Sequence, residues 1–203
     1  MKSALELQGA SICLASGSTN ELNLADWARQ NKIQYKPVVF EQNDEVRAAY
    51  LPGRCDAYST DASQLAGLRS GFQNPDEHVI LPEIISKEPH APVVRHGDDQ
   101  WFDIVRWTFF ALLIAEERGI TQSNIDSFLA TEDPELRRLL GLVGDHGALM
   151  GLDNRWAYRA IKAVGNYGEI FERNLGMASQ VKLQRGLNAQ WNKGGLMYAP
   201  PLR

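Results

Sequence analysis

The chain lacks a hydrophobic run long enough to cross a bilayer. Its longest apolar stretch is Trp107–Ala115, whereas a spanning helix needs about 20 such residues. It also lacks a dominant charge. Its 203 residues hold 21 Lys+Arg against 25 Asp+Glu, a net charge of -4. That mild acidic balance argues against nucleic acid or an anionic membrane surface as the main partner. Cysteine is scarce, with only Cys13 and Cys55, too few for a disulfide scaffold. The two either pair in an oxidising compartment or stay reduced in a cytosol. The four histidines, His78, His90, His96 and His146, have no ligand spacing, which argues against a metal site. Met1–Gln8 carries no apolar h-region, so no signal peptide is visible.

Catalytic and phosphate motifs are missing too. Ala15-Ser16-Gly17-Ser18 is not G-x-G-x-x-G, and no P-loop lysine follows. There is no G-x-S-x-G elbow.

What is present is an ordinary globular composition, 44% hydrophobic and 23% charged, enough for one domain or one and a half around a real core. The first half alternates strands and helices. Strands are expected at Ser11–Ala15, Gln34–Phe40 and Asp56–Ser59, with a fourth from His78–Leu81 and Glu83–Ile85. Helices are expected from Leu22, over Asp44–Leu51 and over Ala62–Ser70. This order predicts an α/β unit with a parallel, doubly wound sheet covered on both faces. Pro89–Arg95 reads as a connector and strand, and the composition shifts near there. The second half reads as mainly helical. Gln100–Arg118 is apolar on nearly all sides, so it should be buried on more than one side. Further helices are expected at Ser123–Ala130, Asp133–Leu140 and Asn154–Leu175, with Gly119 and Gly176 as C′ residues. The tail from Leu183 reads as irregular. His146 reads as solvated, and Cys13, mid-strand, as a buried thiol.

Two segments carry a chemical reading. In Gly17-Ser18-Thr19-Asn20-Glu21, a strand runs through a glycine turn into a helix N-terminus, where free N–H groups and the positive dipole end suit a carboxylate. Taken alone, an ordinary helix capped by the Ser18-x-x-Glu21 box is the better reading of this segment, since such boxes are common. In Asp56–Asp61, a strand ends in an acid at its carboxyl end, where open α/β sheets bind ligands. Asp61 there suits a ligand ammonium, although Asp61-x-x-Gln64 also fits a capping box. Together the two segments offer donors for a carboxylate and an acceptor for an ammonium, the pair that a zwitterionic α-amino acid needs.

Those residues resemble the solute-binding proteins of polar amino-acid ABC transporters, in particular the general L-amino-acid-binding subfamily. The likeness runs through Gly17–Leu24, Gly53–Asp61, Asn74–His78, Leu81–Pro89, Gly97–Phe102, Val164–Phe171 and Gly194–Pro201, essentially the whole chain. It implies the type II periplasmic binding protein fold, in which two α/β lobes close on a ligand. Residues 1–88 would form one complete α/β lobe, the second of the family. Residues 89–176 would form the mostly helical C-terminal portion of the first lobe, and 177–203 an irregular extension.

By that resemblance Ser18 and Thr19 match positions that hold the ligand carboxylate, with Asn20 beside them as a further ligand-binding residue, and Asp61 matches the acid that pairs with the α-ammonium. The family is exported to the periplasm, so a disulfide between Cys13 and Cys55 is implied. The implied ligand is an L-amino acid and the implied partner a transporter permease, with no cofactor, metal or catalytic residue. Against the family pattern the chain lacks an N-terminal part, including the arginine that clamps the carboxylate. Weak or absent binding of free amino acids is therefore expected. Exposed apolar surface on the Gln100–Arg118 helix would favour a homo-oligomer. The competing readings are a dehydratase-like enzyme on the same fold and a ligand-incompetent, self-associating domain. The enzyme would need an acid/base group beside the cleft, for which Asp61, Glu83 and Glu88 are the near candidates.

Overall fold

The computed structural model describes residues 1–203, which form two compact units, Met1–His90 and Ala91–Arg203. The first is organised by a parallel sheet of β1 (Ser11–Ala15), β2 (Lys36–Phe40) and β3 (Ala57–Tyr58), in the order β2-β1-β3. Central β1 is apolar on both faces, as a parallel strand covered on both sides must be. Ile12 and Leu14 pack with Leu24 of helix α1 (Thr19–Gln30) and with Ala4 and Leu7. Cys13 and Ala15 point the other way, against Val46 and Ala49 of α2 (Asn43–Tyr50). Each fully buried Leu or Ile side chain contributes about 1.5–3 kcal/mol.

Helix α1 returns the chain to β2, and α2 precedes β3 on the other side of β1. Cys13 and Cys55 form a disulfide with Cα atoms 5.6 Å apart, which corrects the reading of Cys13 as a free buried thiol. Cys55 lies two residues before β3 rather than within it. At the starts of the strands, the Asp56 carboxylate accepts the Ser11 N–H at 2.7 Å and hydroxyl at 2.6 Å, and the Asp56 N–H donates to the Ser11 carbonyl at 2.9 Å.

The fourth strand is absent. Pro82 removes a ladder donor, and Leu81 and Ile85 instead settle against the Ile12–Leu14–Leu24 cluster without pairing. Glu83 is held by the Ser3 hydroxyl and, at 2.9 Å, by the Ala4 N–H. Pro89–Arg95 likewise forms no strand, since Pro89 and Pro92 supply no N–H. The first unit closes with α3 (Ala62–Ser70).

The second unit is built on α4 (Asp99–Glu117), started by Asp98, whose carboxylate accepts the Trp101 N–H at 3.1 Å. Its C-terminal half (Ala111, Leu113, Ile114, Ala115) is buried, while Trp101 and Phe102 in its first turns are about half exposed. It ends at Gly119, whose φ of +67° favours glycine. The expected helix at Ser123–Ala130 is a 3-10 turn over Ile125–Ala130. Then come α5 (Pro134–Leu139) and the short α6 (His146–Leu149). His146 is not simply solvated. Its Nε2 lies 3.2 Å from the Arg203 carbonyl, and its Nδ1 is buried without a partner.

The continuous helix expected at Asn154–Leu175 is two helices, α7 (Trp156–Val164) and α8 (Tyr167–Asn174). The break comes from Gly165, at φ +81°, and from buried Asn166. The Asn166 side chain caps α8 by accepting the Glu169 N–H at 2.9 Å and donates to the Ile120 carbonyl at 2.7 Å. Helices α7 and α8 both pack on α4.

The tail has an irregular backbone but is tightly held. Gln190 is fully buried and donates to the Leu113 carbonyl at 3.0 Å. Arg185 pairs with Glu116 at 3.0 Å and stacks on Tyr167 and Phe171. Ala199 and Leu202 join the core around α4.

Candidate functional site

Strands β1 and β3 are neighbours and parallel, so their carboxyl ends lie side by side and the loops that follow them share one edge of the sheet. The first loop turns at Gly17, φ +64°, and enters α1. Ser18 is the N-cap: its hydroxyl accepts the Glu21 N–H at 3.3 Å and donates to the Ala15 carbonyl at 2.7 Å. The expected reciprocal box is only half made, because the Glu21 carboxylate accepts the Gly17 N–H, at 2.8 Å, rather than that of Ser18. Thr19, exposed, and Asn20, half-buried, occupy the first helical turn. Their N–H groups have no carbonyl four residues earlier in the helix to bond, and the positive end of the helix dipole lies there. This is chemistry suited to an anion.

The second loop, Ser59-Thr60-Asp61, is tied to β1 by the Ser59 N–H donating to the Cys13 carbonyl at 3.0 Å. Asp61 takes the N-cap position of α3, yet its carboxylate makes no cap hydrogen bond. Gln64, expected to complete that box, instead accepts the Thr60 hydroxyl at 2.8 Å. The Asp61 carboxylate, 27% exposed, has His90 Nε2 at 3.9 Å. It is a carboxylate with no structural duty in starting its own helix.

The two loops meet. Asn20 Nδ2 donates to Thr60 Oγ1 at 3.3 Å, which brings the anion-suited turn and the Asp61 loop together. A third segment reaches the same edge: Glu88 accepts from Asn23 Nδ2 at 2.8 Å, and His90 stands beside Asp61. Thr60 lay in plain view in the sequence beside Asp61, but nothing there signalled its partner. His90 carried no signal at all. Two clefts, of about 390 Å³ around Arg118, Glu135 and Trp191 and of about 500 Å³ around Arg47, Phe72 and His78, are lined by other residues. At the strand-end site Ser18, Asn20 and Asp61 are half-buried and Thr19 is exposed. Glu83 and Glu88, weighed above as acid/base groups, are each engaged in hydrogen bonds, the former away from this edge.

No protein-family model matches the sequence. Among curated proteins, the chain is 61% identical over 205 residues to the general L-amino acid-binding periplasmic protein AapJ of Rhizobium johnstonii. It is 56% identical to the glutamate/glutamine/aspartate/asparagine-binding protein BztA of Rhodobacter capsulatus, and 53% to the putative amino-acid ABC transporter-binding protein YhdW of Escherichia coli K12. Each alignment covers 100% of this chain and 60% of the relative, so the chain spans about three-fifths of their length. Among solved structures, an ABC transporter periplasmic binding protein from Brucella ovis with glutathione bound matches with a TM-score of 0.93 and 57% identity, over 100% of this chain and 64% of that one. Each of these relatives is named as a binding protein. At 53–61% identity along its whole length and with the fold of the corresponding part of the Brucella ovis structure, the chain is similar throughout to periplasmic amino-acid-binding proteins of ABC transporters.

Proposed function

We propose that the chain is the substrate-binding component, or a large part of one, for L-amino-acid uptake across a membrane through an ABC-transporter permease, acting in the periplasm. Residues 1–88 serve as one complete ligand-binding lobe. Ser18, Thr19 and Asn20 take the ligand carboxylate and Asp61 its α-ammonium. The observation that carries this reading is the Asp61 carboxylate, left out of helix capping and set beside the α1 N-terminus by the Asn20–Thr60 hydrogen bond. A carboxylate and an anion-suited helix start on one edge form a complementary pair for a zwitterion.

Affinity for free amino acids is weak in this chain alone. The site residues are exposed or half-buried, and ion pairs in contact with water yield little. Calorimetric titration with a panel of L-amino acids tests this: heats fitted by a micromolar Kd overturn it, and a millimolar Kd supports it. Self-association belongs to the same reading, supported by Trp101 and Phe102, about half exposed on α4. A clean monomer in light scattering at high concentration removes it.

A second reading concerns ligand class. The similar Brucella ovis protein was solved with glutathione. The γ-glutamyl end of glutathione keeps a free α-ammonium and α-carboxylate, the same head group as an amino acid. The Ser18–Asp61 edge is suited to that head whatever follows it, so γ-glutamyl peptides belong in the titration panel.

A further inference from the structure

We propose that His90 is a built-in competitor for the ammonium subsite: its imidazolium pairs with Asp61, and a ligand ammonium has to displace it. This rests on the reading of Asp61 given above. His90 Nε2 stands 3.9 Å from Asp61 Oδ2, and it is the one basic side chain recorded within ion-pair distance of that carboxylate. The Asp61 side chain is 27% exposed and makes no bond to its own helix, so its charge is available to a partner. The His90 side chain is 70% exposed. It can therefore swing away without breaking a packed contact, as a competitor must and a structural counter-ion need not.

The backbone that carries His90 is anchored close by. Glu88, two residues earlier, is held by Asn23 of α1 at 2.8 Å. The segment Glu88–His90 thus runs from the carboxylate-suited helix to the ammonium-suited acid, bridging both halves of the site with the chain's own groups.

The charged groups on the surrounding elements leave this pairing undisturbed. In the first turn of α1, Glu21 is engaged by the Gly17 N–H. On the segment itself, Glu88 is engaged by Asn23, and Lys87 is exposed. The first turn of α3 has no acidic residue, and its basic residue, Arg69, lies in the last turn. Asp61 is the open carboxylate.

The neutral ring cannot compete for a carboxylate as an ion, and the protonated ring can. Ligand binding should therefore weaken as the medium becomes acidic, by about two- to fivefold, the range of exposed ion pairs.

The test follows backbone amide signals of the 203-residue chain by NMR. From pH 8 to 5.5 the Asp61, Ala62 and Ser63 amides should move in the parent and stay still in His90→Gln. If they stay still in the parent, the pairing is absent and the proposal is overturned. Millimolar L-glutamine is then added at pH 8 and at pH 5.5. The parent should bind more weakly at the lower pH, and His90→Gln equally at both. Equal binding by the parent at both pH values overturns the competition while leaving Asp61 as the ammonium partner. A pH-sensitive pairing without any glutamine-induced shift at either pH overturns the reading of Asp61, and the competition with it.

Discussion

Asn20 and Thr60, forty residues apart, share a hydrogen bond of 3.3 Å between Nδ2 and Oγ1. It joins the loops that follow two neighbouring parallel strands, and so sets the distance between a helix start suited to a carboxylate and an acid suited to an ammonium.

Asp61→Ala should remove ligand binding and leave the fold intact. The lost charge-assisted contact is worth about 1.5–3 kcal/mol, roughly a ten- to hundredfold rise in Kd. Because Asp61 makes no cap bond, urea unfolding should change by no more than about 0.5 kcal/mol. Ser18→Ala should differ, losing about 1 kcal/mol of stability with the α1 cap. A destabilised Asp61→Ala with undiminished affinity would return Asp61 to a purely structural role.

Reducing the Cys13–Cys55 bond should destabilise the first unit by about 2–4 kcal/mol, the usual worth of a bridge, here closing a separation of 42 residues. The amides of β1 and β3 should lose hydrogen-exchange protection in dithiothreitol, whereas those of α4 and α7 should not. Uniform loss across both units would contradict this.

Acid should loosen the first unit through two surface carboxylates. The Ser11 hydroxyl and N–H hold Asp56 below the ordinary carboxylate range, and the Ser3 hydroxyl and Ala4 N–H do the same for Glu83. A carboxyl group whose folded value is depressed contributes stability above its unfolded value, and the contribution is lost as pH falls through the folded value. Stability should therefore be level above about pH 5 and decline below pH 4. Asp56→Asn with Glu83→Gln should flatten that slope in urea titrations at pH 3 to 7, and an unchanged slope would reject the assignment.

Arg185→Ala should free the C-terminal tail. It removes the partner of Glu116, which is only 10% exposed, and the guanidinium from over Tyr167 and Phe171. The expected cost is about 1–3 kcal/mol, with tryptic cleavage after Lys182 or Lys193 appearing early. Arg185→Lys should recover little, because an ammonium neither forks nor stacks as a guanidinium does. Cleavage no faster than in the parent would show that Gln190 and Leu202 hold the tail unaided.

Much of the first unit was legible in the sequence. The apolar Ser11–Ala15 run, the turn residues after it and the capping pattern at Ser18 each report local preferences, and local preferences survived. The strand at His78–Ile85 did not form, because burial of Leu81 and Ile85 was satisfied by packing alone and Pro82 spoiled the ladder. The break at Gly165–Asn166 was hidden, since apolar periodicity runs through it while the decisive contact, Asn166 to the Ile120 carbonyl, comes from 46 residues away. The site divides in the same way. Ser18 and Asp61 stood out by position, but the partners that give them meaning, Thr60 for Asn20 and His90 for Asp61, depend on loops brought together only by the sheet.

The strand order β2-β1-β3 also implies a sequence of events. β1, α1 and β2 close over a short span of chain. β3 must return past β2 to the far edge of β1, and it pairs through two residues only. Contacts of long span and few bonds form late. The loop bearing Asp61 should therefore settle after β1 and β2 have paired, and oxidation of Cys13 with Cys55 fixes it there. A newly made chain acquires its acceptor for a positive charge only when the rest of the sheet already stands.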